Sequence, residues 1–173
     1  MLRSDIVDVY VFRRGAIAPD LSDGFEFLQL RRVGNTLPGT WQPVMGHVEN
    51  GETAADAAVR ELAEETGISP NHGLVNLWQL ESVNTYFLAS DDVIMMSPGF
   101  AAEISSNADL VIDEAHNAVR WIQPSQIDRQ FLWPGQHRAI VEIQRFLLPH
   151  ESAAKPFLQI DLSTVSSPKR CDS

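Results

Sequence analysis

Three glutamates on one predicted helix are the side chains in this sequence best placed to do chemistry. Glu61, Glu64 and Glu65 are three or four residues apart, so at ~100° per residue they share one face of an α-helix. Clustered carboxylates repel one another, and Mg²⁺ is typically bound by one or two carboxylates together with substrate phosphates. Arg60 stands four residues before Glu64 and can hold that side chain. The pattern predicts either a divalent-cation site or a solvated helix face with an ordinary ion pair.

The flanks of this helix decide between the two readings. Thr53 is a suitable N-cap, the alanines that follow favour a helix, and Gly67 is placed to end it. From Gly46 to Ile68 the chain reads GHVENGETAADAAVRELAEETGI. This stretch matches the Nudix box at every defined position, namely Gly46, Glu52, Arg60-Glu61-Leu62, Glu64-Glu65 and Gly67-Ile68. The chain therefore resembles the Nudix hydrolases.

The resemblance implies an α/β fold, the Nudix-type α/β/α sandwich with a mixed sheet, whereas periodicity alone predicts only a mixed α/β class. It also implies Mg²⁺ or Mn²⁺ as cofactor, bound by Glu64, Glu65 and the Gly46 carbonyl. Glu61 would be a further ligand or the general base, and Arg60 would orient the carboxylates. Family members differ in which glutamate is the base, so that question stays open.

A further acid beyond the box assists in some relatives, and three candidates stand here, Glu103, Asp113 and Glu114. We favour Glu114 as an additional metal ligand, because it precedes a predicted strand where such loop acids lie in the family. A solvated loop acid is the alternative. His116 is a weaker candidate for a base or a leaving-group contact.

The substrate contacts predicted from the sequence are Arg32, Trp41, Glu52 and Tyr86. Arg31 and Arg32 end a strand, and alternation allows only one of them to point at a phosphate in the site. Trp41 either packs in the core or stacks on a base. Glu52 supports the metal site in the family, directly or through water.

Three stretches resemble the dihydroneopterin triphosphate/dATP pyrophosphohydrolase branch: WQPVMG before the box, DEAH followed by Trp121, and WPGQHRAI near residue 140. This implies hydrolysis of a nucleoside or pterin triphosphate with release of pyrophosphate. Tyr86, 18 residues beyond Ile68, suggests a dinucleoside polyphosphate hydrolase as the alternative, and an ADP-ribose hydrolase ranks third. A non-catalytic nucleotide sensor is the alternative outside enzymes, but such domains commonly lose box glutamates.

Composition narrows the class of partners. The net charge of −10 disfavours sequence-independent binding to duplex nucleic acid, so we expect a small nucleotide-type substrate. The only cysteine is Cys171, which suits a reducing cytoplasm. We find neither a signal peptide nor an apolar run long enough to span a membrane, and oligomeric state cannot be read from the sequence.

The remaining elements follow from local patterns, with residues 1–150 expected to form the domain and residues 151–173 a tail that is partly disordered or adds a strand. Strands are predicted at residues 5–12, 25–32, 74–88, 93–96, 100–104 and 119–122, with a loop at 13–24, a break at Ser97-Pro98-Gly99 and a loop at 105–113. An amphipathic helix is predicted from Pro134 to Leu148.

Overall fold

The computed structural model describes residues 1–14, 24–34 and 37–165. Its strands are β1 (Leu2–Arg3), β2 (Ile6–Arg14), β3 (Phe25–Arg32), β4 (Trp41–Gln42), β5 (Val44–His47), β6 (Leu74–Leu88), β7 (Val93–Ile104) and β8 (His116–Ile122). Its helices are α1 (Ala54–Thr66), α2 (Ile127–Gln130), α3 (Pro134–Glu142) and α4 (Lys155–Leu158), with a 3₁₀ turn at Pro124–Gln126 and a π turn at Ile143–Leu147. No helix in these ranges is long and apolar enough to cross a membrane.

One mixed sheet separates two helical layers. The strand order is β1-β7-β2-β3-β4, with β6 paired to β7, β8 to β3, and β5 to β2. The pairings of β2 with β7 and of β1 with β7 are parallel, and the other strand pairs are antiparallel. Helix α1 packs on one face over a core that includes Val9, Leu30 and Leu62, and α3 packs on the other over Phe12, Trp78 and Ile140. The predicted α/β/α sandwich is confirmed.

The predicted bounds of strands and helices are confirmed where the alternation of one strand or the cap of one helix determines them. β3 and β6 have the predicted bounds, and α1 begins after Thr53 and ends before Gly67. The last strand starts earlier than predicted, at His116, and the C-terminal helix ends in a π turn. The predicted loop at 13–24 is wrong at Arg13 and Arg14, which extend β2, and residues 15–23 lie outside the described ranges.

The predicted break at Ser97-Pro98-Gly99 is wrong, because β7 runs through it as one strand. On one side β7 pairs with β6 along its length. On the other side it changes partner, from β1 at Ile94 and Met95 to β2 from Gly99 onward. Pro98 falls at this change of partner, where a missing N–H is tolerated.

The first part of the tail packs on the sheet. Ile160 N–H donates to the Leu77 carbonyl at 2.8 Å, and Gln159 forms an isolated antiparallel bridge with Trp78. Ile160 and Leu162 also pack against the core beneath α1. The tail was expected either to be partly disordered or to add a strand to the sheet. Its described part is closer to the second expectation, but it forms a single β-bridge instead of a full strand.

Candidate active site

The caps of α1 determine which of its residues face the sheet. Thr53 Oγ1 accepts the Asp56 N–H at 3.2 Å, and the Asp56 carboxylate accepts the Thr53 N–H in return. At the other end Gly67 takes a left-handed conformation with φ of 75°. The apolar side of the helix, including Ala58 and Leu62, then packs into the core. The charged side is left facing the loop that precedes the helix.

Arg60 joins three of the box carboxylates. Its Nε and Nη2 donate to the two oxygens of Glu52 at 2.9 and 3.0 Å. Its Nη1 donates to Glu61 at 2.8 Å and to Glu64 at 3.0 Å, and Nη2 also donates to the His47 carbonyl at 2.6 Å. The guanidinium holds the pKa of Glu52 below its usual value. These contacts support the predicted role of Arg60 in orienting the acidic face, and that role stays a prediction.

Glu61 lies directly against Gly46. A Cβ atom built on Gly46 would stand 1.8 Å from Cδ of Glu61, so only glycine leaves room for this carboxylate. Burial raises the pKa of Glu61 despite its contact with Arg60. The position of the Glu61 carboxylate against β5 thus depends on the first residue of the box.

Glu65 is the most deeply buried carboxylate of the group. Its residue is 8% exposed, and Oε2 has no hydrogen-bond partner among the described residues. Burial, and then the neighbouring Glu61 and Asp113 charges, raise its pKa to about 8, while the Met45 N–H and Arg32 act in the opposite direction. A buried carboxylate oxygen without a donor is costly unless a positive group reaches it.

The loop before β8 and the first residue of that strand bring a second acid and a histidine to Glu65. His116 is buried, its Nδ1 lies 2.7 Å from Asp113 Oδ1, and its Nε2 lies 4.0 Å from Glu65 Oε2. Glu114, the favoured loop acid, has an exposed side chain instead. Its assignment as a ligand stays a prediction, but these contacts favour Asp113, and the D-x-x-H spacing was the available signal.

Glu103, the third acid considered, is on the other face of the sheet. It is buried between Arg14 at 2.8 Å and Asn76 at 2.9 Å. Its neighbour Ala101 belongs to the core under α3, and strand alternation puts Glu103 on the same side. The contacts of Glu103 are those of a structural ion pair.

The two arginines that end β3 point to opposite faces, as predicted from alternation. Arg32 shares the face of Leu28 and Leu30, which pack toward α1, and its charge lowers the pKa of Glu65. Arg31 binds Asn117 Oδ1 at 2.7 Å on the other face. Of the pair, Arg32 is the one near the box carboxylates.

Trp41 and Tyr86 are not brought to the carboxylates by the described contacts. The Trp41 ring lies under the guanidinium of Arg120, 4.3 Å from its centroid, on the α3 face. Tyr86 is near Asp8, whose negative charge helps to raise the tyrosine pKa, although burial is the larger cause. Substrate contact by either residue stays a prediction that requires a ligand reaching the second face.

The arrangement suits a divalent cation that is completed by substrate. In the described ranges no three acidic, histidine or cysteine side chains converge as a ready-made metal site. Glu52, Glu61 and Glu64 are instead each paired with Arg60. Glu65 Oε2 has no donor among the residues that the structure describes, and Glu64 is 56% exposed at its side chain. A hard cation that takes one or two carboxylates and several phosphate or water oxygens fits such a donor set.

Comparison with known proteins agrees with this geometry. The NUDIX domain family matches residues 11–143. An octanoyltransferase of Myxococcus xanthus is 34% identical over 94 residues, which are 53% of this chain and 25% of that protein. The asymmetrical bis(5'-nucleosyl)-tetraphosphatase of mouse is 29% identical over 117 residues, 65% of this chain and 74% of that protein. The chain thus spans only a quarter of the first of these relatives.

Solved structures show the same fold. A NUDIX hydrolase of Listeria monocytogenes superposes with a TM-score of 0.65 at 20% identity, over 82% of this chain and 92% of that one. The dihydroneopterin triphosphate pyrophosphohydrolase of E. coli superposes with a TM-score of 0.59 at 23% identity, over 78% and 91%. With the family match covering most of its length and the box in this geometry, the chain belongs to the Nudix family.

Proposed function

We propose that the protein is a metal-dependent pyrophosphohydrolase that cleaves a nucleoside or pterin triphosphate into a monophosphate and pyrophosphate. The observation that carries the proposal is the buried oxygen of Glu65, which has no hydrogen-bond partner in the described part of the chain, beside the glutamates bound by Arg60. The family match and the pyrophosphohydrolase among the structural neighbours support this class of reaction.

The residues have distinct parts in the proposed reaction. Glu64, Glu65 and the Gly46 carbonyl would hold Mg²⁺ or Mn²⁺, with Asp113 or Glu114 as an outer contributor. When bound, the cation neutralises phosphate charge and lowers the pKa of a water molecule. Arg32 lies on the same face and can bind a phosphate oxygen.

The step itself balances as a hydrolysis. A water oxygen bonds to phosphorus, a bridging P–O bond breaks, and pyrophosphate leaves with the bridging oxygen. A carboxylate held by Arg60, either Glu61 or Glu64, takes the proton from the attacking water. Arg60 keeps both candidates close to the position where the phosphate chain would lie.

The test is a triphosphate panel assayed with Mg²⁺, in which pyrophosphate and orthophosphate are measured separately. Pyrophosphate release that falls by about 100-fold or more in Glu64→Gln and Glu65→Gln is expected. Glu151→Gln is the matched control, since that exposed residue lies in the tail. Unchanged turnover in Glu64→Gln would overturn the site assignment, and Asp113→Asn against Glu114→Gln would identify the loop acid.

A dinucleoside polyphosphate is the second candidate substrate, because the mouse tetraphosphatase matches 65% of this chain. Release of two nucleotides from a dinucleoside polyphosphate, with no turnover of triphosphates, would establish it instead. Binding of nucleotides without hydrolysis by either metal would favour the sensor.

A further inference from the structure

The second half of β6 is an unpaired edge of the sheet. One edge of β6 pairs with β7. The first half of its other edge is covered by the tail and by the Glu142 carboxylate, through hydrogen bonds or a bridge at Leu77, Trp78, Glu81 and Ser82. Within the described ranges no strand pairs with the outer edge of residues 83–88, which we call the open edge. An edge of this kind is a template for pairing with another chain.

The open edge lacks the features that commonly protect an edge strand. Its six residues read VNTYFL, with no charged side chain and no proline. The irregular pairing of β6 with β7 ends at Val83, and from there the register is unbroken to Leu88. Edge strands are commonly protected by lysine, by proline or by a bulge, each of which hinders pairing with a further strand. The open edge can therefore accept a strand without a local obstacle.

The side chains on one face of the open edge are exposed and largely apolar. Val83 is 43% exposed and Phe87 is 61% exposed, and Thr85 stands between them on the same face. Phe87 lies opposite Ile94, which lies opposite Leu2, and both of these side chains are also exposed. An apolar row thus crosses three strands and ends at the open edge. Exposed apolar patches of this kind mark interaction sites.

The sequence of the open edge is complementary to itself. In an antiparallel pair of two copies centred on Thr85, Val83 of one copy lies opposite Phe87 of the other. The two Thr85 residues then lie opposite each other. Aromatic residues pair favourably with β-branched residues across antiparallel strands, and threonine pairs favourably with threonine. Because this pairing has twofold symmetry, it closes as a dimer and does not continue as a fibre.

Charge favours the same pairing. Each copy has a net charge of −10, so two copies repel one another except where they meet through uncharged residues. A pairing centred on Tyr86 would bring Glu81 of each copy toward Asp91 of the other, which like charges disfavour. A pairing centred on Thr85 brings Glu81 toward Ala89 instead. The open edge is therefore a surface over which two of these acidic chains can approach.

We propose that two copies of this chain form a twofold dimer through antiparallel pairing of their open edges, centred on Thr85. The two sheets become continuous, and the row of Leu2, Ile94 and Phe87 extends to Val83 of the second copy. A pairing of six residues buries less than the ~1,200 Å² of a stable complex, so the dimer is reversible with a micromolar dissociation constant. The proposal concerns assembly and is independent of the reaction proposed above.

Sedimentation velocity of the full chain from about 1 to 500 µM tests the proposal, and a reversible monomer–dimer equilibrium is expected. Val83→Lys and Thr85→Lys should each weaken association by about 10-fold or more, because a lysine on an edge strand hinders pairing. Val119→Lys is the matched control, since Val119 is 40% exposed on β8, another edge strand of the described sheet. A monomer at every concentration, or a dimer that both open-edge variants retain, would overturn the proposal.

The response to salt gives a second measurement on the unmodified protein. Salt screens the repulsion between two chains of net charge −10, so the dimer should become tighter as salt is added. A dimer that dissociates in salt would be held by ion pairs, which the open edge does not contain. That result would assign the association to another surface.

Cysteine cross-linking tests the register of the pairing. In a Cys171→Ser background, which removes the only cysteine, Thr85→Cys should form a disulfide-linked dimer on mild oxidation. Opposite residues of antiparallel strands are about 5 Å apart at Cα, within reach of a disulfide. Val83→Cys should cross-link when it is mixed with Phe87→Cys. A yield at Thr85→Cys no higher than at Val119→Cys would reject the pairing centred on Thr85.

Discussion

Replacing Arg60 with alanine is expected to lower the free energy of unfolding by about 3–5 kcal/mol, the usual cost of removing one partner from a buried charge network. The guanidinium is 14% exposed and holds Glu52 and Glu61, which are equally protected from solvent. Without it, Glu61 loses its cationic partner and keeps its repulsion with the Glu65 carboxyl. The five hydrogen bonds of Arg60 belong to one network. Their separate contributions therefore cannot be added to give the total loss of stability.

The assay is thermal unfolding of the unmodified protein and the variant without metal. At about 2–4 °C per kcal/mol for a protein of this size, the melting temperature should fall by roughly 6–20 °C. Arg3→Ala is the matched control, because its ion pair with Asp5 is more exposed, at 36% and 40% of the two side chains, and its loss should change the melting temperature little. The melting temperature of Arg60→Lys should lie between those of the two variants, since lysine keeps the positive charge but not the planar set of donors of the guanidinium.

The dependence on pH and metal tests the electrostatic cause. Arg60 lowers the pKa of Glu52 in the folded state, so this stabilisation is present above the ordinary carboxyl pKa and is lost as pH falls through the folded value. The difference between Arg60→Ala and the unmodified protein should therefore shrink in acid. Mg²⁺ should raise the melting temperature of the variant more than that of the unmodified protein. A loss no larger than that of Arg3→Ala, or one independent of pH, would refute the reasoning.

Three further changes have expected outcomes. Gly46→Ala should abolish most hydrolysis and destabilise the fold by about 1–3 kcal/mol, because its Cβ would overlap the Glu61 carboxylate; activity and urea unfolding check this. Stability should fall as pH rises from about 4 to 6, since the folded pKa of Asp8 is raised from 3.8 to about 6. Asp8→Asn should make that slope shallower and gain up to about 3 kcal/mol at pH 8, while Glu65, whose pKa is raised to about 8, keeps part of it; equilibrium unfolding across this range would show the change. Deleting residues 152–173 should cost roughly 2–4 kcal/mol in the same assay, because Ile160 and Leu162 pack against the core.

The sequence predicted correctly the helix and strand bounds that are determined by residues close together in the chain. The caps of α1 and the alternation in β3 lie within a few residues of the elements they determine, so their bounds were right. The alternation also separated Arg31 from Arg32 correctly. β7 was predicted as two pieces because proline usually ends a strand, and only the change of partner from β1 to β2 makes Pro98 acceptable.

The site shows the same division between local and distant causes. The sequence pointed to Arg60 and its contact with Glu64, one turn away. It also offered Asp113 and His116 as separate candidates, but not their pairing beside Glu65, which depends on how the loop before β8 contacts the end of α1. Asp8 was also readable as an anomaly, an acid between valines on a core strand. Its meaning depends on α3, which follows more than 120 residues later and encloses the carboxyl.

The pairing of β2 with β5 places neighbouring residues of β2 on the two faces of the sheet. Val7 is opposite Gly46, where Glu61 lies, and the next pair sets Asp8 opposite Met45. Consecutive residues of a strand point to opposite faces, so Val7 faces the α1 layer and Asp8 faces the α3 layer. A shift of this pairing by one residue would exchange the two faces and remove Gly46 from Glu61. The register of β2 with β5 is therefore a requirement of the proposed function as well as of the fold.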